Sequence, residues 1–186
     1  MPDLVTGAAL TLAGFGLATL RDAYKHRRDR RARQRAVLLG YKEEMLANHR
    51  AAENTLNRLA YERRSRQQGE IKALMNPSSR LEHGAWPIAR VELPSRLLED
   101  QALMQSLRQI HRNTLEINSL VESLENFRIQ HVGGDDALFA QGLDGYAAIL
   151  IEILRDLKLR VEQATDDLSP YLNSGWRLWS RSARTA

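Results

Sequence analysis

The residues able to carry chemistry are few and scattered. There are five histidines, His26, His49, His83, His111 and His131, and no cysteine. Without cysteine the chain has no disulfide, no thiolate nucleophile, no thiolate zinc site and no cysteine-ligated iron–sulfur cluster, which suits a reducing compartment. No two histidines lie three or four apart, so no two imidazoles share one helical turn, and none stands in an HExxH or ExxH spacing. Glu43, Glu44 and Glu53, and Glu116, Glu122 and Glu125, are spaced as solvated helix faces. No Gly-rich phosphate loop and no nucleophile elbow occurs. No metal and no cofactor is expected.

The densest chemistry is cationic. Residues 21–35 contain eight Lys or Arg against Asp22 and Asp29, a local net charge of +6 in a chain of +4, so the remainder sums to −2. Within this block, Arg21-Asp22-Ala23-Tyr24-Lys25-His26 resembles the Arg-polar-xxx-His motif of HEPN-type RNases, over six residues. The resemblance implies a helical bundle in which Arg21 holds a scissile RNA phosphate and His26 acts as general base in a dimer cleft. In that family the motif lies on a core helix late in the domain, whereas here it comes directly after an apolar segment. A nucleic-acid function through 21–35, as binding or as cleavage by Arg21 and His26, is the second reading.

The first reading comes from what precedes the block. Leu4 to Leu20 has no charge. As a helix it would be ~25 Å long, just short of a ~30 Å hydrocarbon core. Snorkelling of Arg21 and Lys25 would cover the deficit. Only Met-Pro-Asp precedes it, so it lacks the positive leader of a signal peptide. Gly7, Gly14 and Gly16 weaken a helix in water but suit close approach in a membrane, and Ala9/Ala13 and Gly14/Ala18 give small residues four apart. Residues 1–20 are therefore expected to be a transmembrane anchor. Residues 21–35 are then a juxtamembrane collar in which Arg21, Lys25, Arg27, Arg28, Arg30 and Arg31 meet anionic lipid or another polyanion. The positive-inside rule places the rest of the chain, C-terminal to the collar, in the cytoplasm of a bacterial inner (plasma) membrane, as a single-pass protein.

The elements beyond are helical. Leu38, Met45, Ala52 and Leu59 repeat every seven residues, with Tyr41, Asn48 and Thr55 as a second row. Residues 67–94 form a connector with Gly69, Asn76-Pro77, Gly84, Pro87 and Pro94, in which short helical turns and a packed Trp86 are expected. A helix from Ser95 to His131 carries Leu103, Ile110, Ile117 and Leu124, with Leu107, Thr114 and Val121. A third, from Asp136 to about Tyr171, carries an unbroken heptad seam from Leu143 to Tyr171. This predicts an all-α chain: a transmembrane helix continuing into an antiparallel three-helix, coiled-coil-like bundle over 36–172, with each helix reversing the last. The basic tail 173–186, containing Trp176 and Trp179, would finish far from the bilayer. Leu38, Met45, Asn48, His49, Ala52 and Leu59 form the partly polar seam, and are the expected interface for a protein partner or a second copy.

The chain also resembles a loose group of small bacterial membrane-anchored helical proteins. The shared pattern is an early membrane helix, a Glu/Asn-bearing helix (Glu43, Glu44, Asn48, Asn54), a connector with Trp86, and a Leu-rich helix with His111, Asn113 and Asn118. That resemblance implies an architecture and no activity. The expected role is a scaffold, sensor or interaction module that self-associates.

Overall fold

The computed structural model describes residues 2–69, 80–131 and 136–173, with side chains from Leu17 onward except those of Ala18 and Asp136. Among the described residues the chain is all helical, with no strand. Helix α1 spans Pro2–Gln67, α2 Ala85–Glu92, α3 Ser95–Glu99, α4 Gln101–Gln130 and α5 Asp136–Asn173.

Helix α1 runs 66 residues without interruption, passing straight through Gly40. Proline at its first position loses no needed donor, because the first-turn N–H groups have no helical acceptor. It stops at Gly69, whose φ of +80° is left-handed and whose N–H donates to the Arg66 carbonyl at 3.0 Å. Burial begins sharply at Leu38. From there Leu38, Tyr41, Met45, Asn48, Ala52, Thr55 and Leu59 are all buried, so both seven-residue rows face inward. The expected helix from Ser95 divides in two at Asp100. Its non-helical backbone ends α3, and its carboxylate accepts the Leu103 N–H at 3.0 Å, capping α4.

The order of contacts gives the helix directions. His49 meets Glu162, Glu53 meets Lys158 and Arg66 meets Asp144, so α5 runs antiparallel to α1. Tyr171 meets Asp100, Asn113 meets Asp156 and Phe127 stacks on Phe139, so α5 is antiparallel to α4 as well. Tyr41 meets Leu107 and Glu62 meets Arg128, so α1 and α4 run parallel.

This corrects the expectation that each helix reverses the last. The connector is the reason, because it contains a descending helix of its own. Leu81 and Glu82 are gripped by Asn118 and Asn48, then Ala85 meets Glu44, Trp86 packs on Tyr41 and Glu92 meets Arg33. The chain is thus carried back down α1 before α4 starts. Helix α5 consequently ends beside the start of the bundle. Continuing the α1–α5 register places Asn173 opposite Leu38, not at the far end. The tail residues Trp176, Arg177, Trp179, Arg181 and Arg184, expected far from the bilayer, lie outside the described residues.

Among the described residues, one helix, α5, is long and apolar enough to cross a membrane by length and composition. Its apolar row, Leu143, Ala147, Leu150, Leu154, Leu157, Val161, Ala164 and Leu168, is the seam against α1 and α4. The expected anchor, Leu4–Leu20, is helical as part of α1, and most of its side chains lie outside those described.

Candidate functional site

The candidate site is the stretch of α1 between its apolar segment and the bundle. Leu17, Leu20 and Tyr24 are 69%, 69% and 71% exposed, and every Lys and Arg from Arg21 to Arg35 is exposed. Among the described residues this is an exposed helical stalk, which α2 meets where the Arg33 guanidinium pairs with Glu92 at 2.9 Å.

Its charges are distributed by helical geometry. Arg21, Lys25, Arg28 and Arg35 succeed one another four, three and seven residues apart, and Arg27 and Arg31 form the adjacent row. At ~100° per residue these six occupy an arc of about 160°. Asp29 and Asp22 lie about 40° and 60° beyond Lys25 at one edge of the arc, Arg33 lies further round, and Arg30 lies between Arg33 and Arg27. Arg21 and His26 are about 140° apart on the same unbroken helix. They do not converge within one chain, and both are exposed.

The expected partner interface is placed elsewhere. Leu38, Met45, Asn48, Ala52 and Leu59 are each 3% exposed or less, covered by α2, the connector, α4 and α5 of the same chain. That row is an intrachain seam, which corrects its assignment as a docking surface. Its polar members are explained by local bonds. Asn48 Nδ2 donates to the Glu82 carbonyl at 2.6 Å, and the Glu82 N–H donates to Asn48 Oδ1 at 2.8 Å. Asn118 grips Leu81 in the same two-sided way, at 2.7 and 2.9 Å. Two side-chain amides thereby treat residues 81 and 82 as a sheet neighbour would. Glu44 accepts the Ala85 N–H at 2.7 Å, supplying the first turn of α2 with the acceptor its Gly84 cap lacks. His49 is half-buried, with Nε2 2.9 Å from the Glu162 carboxylate.

Two polar features go beyond the sequence expectations. Glu62 is 2% exposed, with Arg128 at 3.4 Å, Arg58 at 3.7 Å and Arg66 at 3.9 Å. Arg66 also meets Asp144 at 2.7 Å. The signal for it is in the rows themselves. Tyr41, Asn48 and Thr55 continue seven residues on to Glu62, and Leu107, Thr114 and Val121 continue to Arg128. The second is a groove of about 820 Å3 between the start of α4 and the end of α5, lined in part by Asp100, Gln105, Gln109, Arg160, Asp166 and Tyr171. The Tyr171 hydroxyl donates to Asp100 at 3.2 Å, and burial, reinforced by that carboxylate, raises its pKa above the ordinary phenol value. The Arg160 guanidinium, 2.6 Å from Asp156, holds that carboxyl below the usual range, with Asn113 as a second donor. His111, near Trp86, has its pKa lowered by burial and by the neighbouring His83 and Arg90.

Among the described residues, no group of three or more His, Asp or Glu is placed to hold a metal ion. Comparison with protein-family models, with curated proteins and with solved structures finds no match for this chain.

Proposed function

We propose that the chain is a single-pass membrane protein that holds a helical-bundle interaction module at a fixed distance from the bilayer, on the cytoplasmic side. The observation that carries this reading is the continuity of α1. One unbroken helix joins the apolar stretch, the exposed cationic stalk and the bundle. The cationic residues come directly after the apolar run, where the positive-inside rule counts them. From Leu20 to Leu38 the helix rises ~27 Å, which sets the stand-off.

The test is membrane fractionation of the full chain, with high-salt and then alkaline carbonate washes. Retention through both supports an integral anchor, and release by either overturns it. Orientation is read from one cysteine placed at exposed Glu122, since the chain has none of its own. In intact cells an impermeant maleimide should leave it unlabelled, and labelling would overturn the cytoplasmic placement.

A further inference from the structure

We propose that the cationic face of the stalk, formed by Arg21, Lys25, Arg27, Arg28, Arg31 and Arg35, binds the phosphate backbone of a nucleic-acid duplex. Three observations support it. These side chains are exposed, and the one stalk ion pair among the described residues uses Arg33, which lies off this face. The six cations share one side, and five of them lie about 80° or more from Asp22 and Asp29, with Lys25 at the acidic edge. A topology signal counts charge without regard to face, so it does not account for this arrangement. Arg21 to Arg35 spans ~21 Å of straight helix, the length of about six base pairs, on an isolated cylinder of a width that enters or tracks a groove.

Other occupants fit less well. Attraction to anionic lipid fades within a Debye length of ~8 Å. On a helix leaving the bilayer at Arg21, Arg28 lies ~10 Å, Arg31 ~15 Å and Arg35 ~21 Å further out. This step rests on the anchor reading above. A second copy packed along the stalk would oppose +6 with +6, which repels unless a polyanion lies between them.

The experiment uses the full chain in nanodiscs of neutral phosphatidylcholine and a fluorescent 20-base-pair duplex, read by anisotropy across a salt series. Neutralising six phosphate contacts predicts a slope of log affinity against log salt of about −5, and a loss of about 1,000-fold between 50 and 200 mM salt. The paired variant Arg28→Gln/Arg31→Gln should reduce the slope by about 2, whereas Arg30→Gln/Arg33→Gln, off the face, should leave it nearly unchanged. All four side chains are exposed, so both variants should retain the parent's helical circular dichroism, and their binding is compared at equal helicity. Three results overturn the proposal: no binding at 50 mM salt, equal losses from the two pairs, or complete loss of duplex binding when anionic lipid replaces the neutral lipid, which would assign the face to headgroups. Co-migration of the chain with the disc reports the anchor separately. A chain that leaves the disc refutes the anchor, and one that stays without binding the duplex refutes only this site.

Discussion

Replacing Asn48 by Ala should unfasten the connector from α1. The side chain is 3% exposed and makes two bonds to the Glu82 backbone, at 2.6 and 2.8 Å. If the segment stayed in place, a partly buried N–H and a partly buried C=O would lose their partners, at about 1–3 kcal/mol each. The segment has an escape, which is to lift away and hydrate. Its loss is then capped by what else docks it. That is the burial of Leu81, 4% exposed and contributing about 2 kcal/mol, and the two bonds from Asn118 at about 1 kcal/mol each. The expected loss is about 2 kcal/mol, within both limits. The assay is urea unfolding of the full chain in micelles, combined with hydrogen exchange at Leu81 and Glu82, which should accelerate about 30-fold. Asn118→Ala should cost a similar amount. Because both amides hold one segment, the double variant should lose clearly less than the sum. A loss below about 0.5 kcal/mol for Asn48→Ala with unchanged exchange, or strict additivity in the cycle, would refute this account.

Glu62→Gln should destabilise by about 3 kcal/mol in thermal or urea unfolding, because Arg128 and Arg58 lose the buried carboxylate they share, while Arg66 keeps Asp144. Gly142→Ala should cost about 1 kcal/mol net. A Cβ there meets the Phe127 ring, with Cε1 at 2.9 Å, and the ring is already stacked on His131 and Phe139 and tilted against Tyr146. Overpacking of about 1–3 kcal/mol exceeds the roughly 1 kcal/mol gained in helix propensity. Adding Phe127→Leu should recover the loss. Carbodiimide treatment should join Lys158 to Glu53, whose charged atoms are 3.2 Å apart, and the linked peptide in mass spectra reports the antiparallel α1–α5 pairing. Burial, with Glu44 nearby, raises the Tyr41 pKa well above the ordinary phenol value. The unfolded chain ionises this phenol near pH 10 and the folded chain does not. Its contribution is therefore complete below about pH 10 and falls by about 1.4 kcal/mol per unit above it. A smaller fall between pH 9 and 11 in Tyr41→Phe checks the assignment.

The faces of the helices were legible in the residue pattern, but their directions were not. A heptad row states which side of a helix is covered and is silent on whether the covering neighbour runs up or down. That information lay in the connector, where Asn48, Asn118 and Glu44 bind main-chain atoms that have no residue-type signature. The same rows hold a further signal, since the next steps past Thr55 and Val121 are Glu62 and Arg128, a charged pair on two facing seams. The partly polar character of the α1 seam pointed outward on composition alone. It faces inward because Asn48 and Thr55 find backbone acceptors, in the Glu82 and Ala51 carbonyls. The stalk was readable as a charge block, whereas its rigid continuity with the bundle depends on α1 being unbroken, which Gly40 left open.

The return of α5 to the stalk end decides how the bundle responds to force. The stalk and the last residue of α5 lie at the same end of the bundle. Tension between them peels α5 from α1 one turn at a time, starting at Leu168 and Leu172, and only a few contacts resist at any moment. Tension applied between the stalk and His131, at the opposite end, loads the whole α1–α5 seam in shear, so its contacts must fail together. Optical-tweezers handles at these two pairs of positions should therefore give a low and a high rupture force from one fold. A load hung on Asn173 would open the bundle easily, whereas a load taken at His131 would be held.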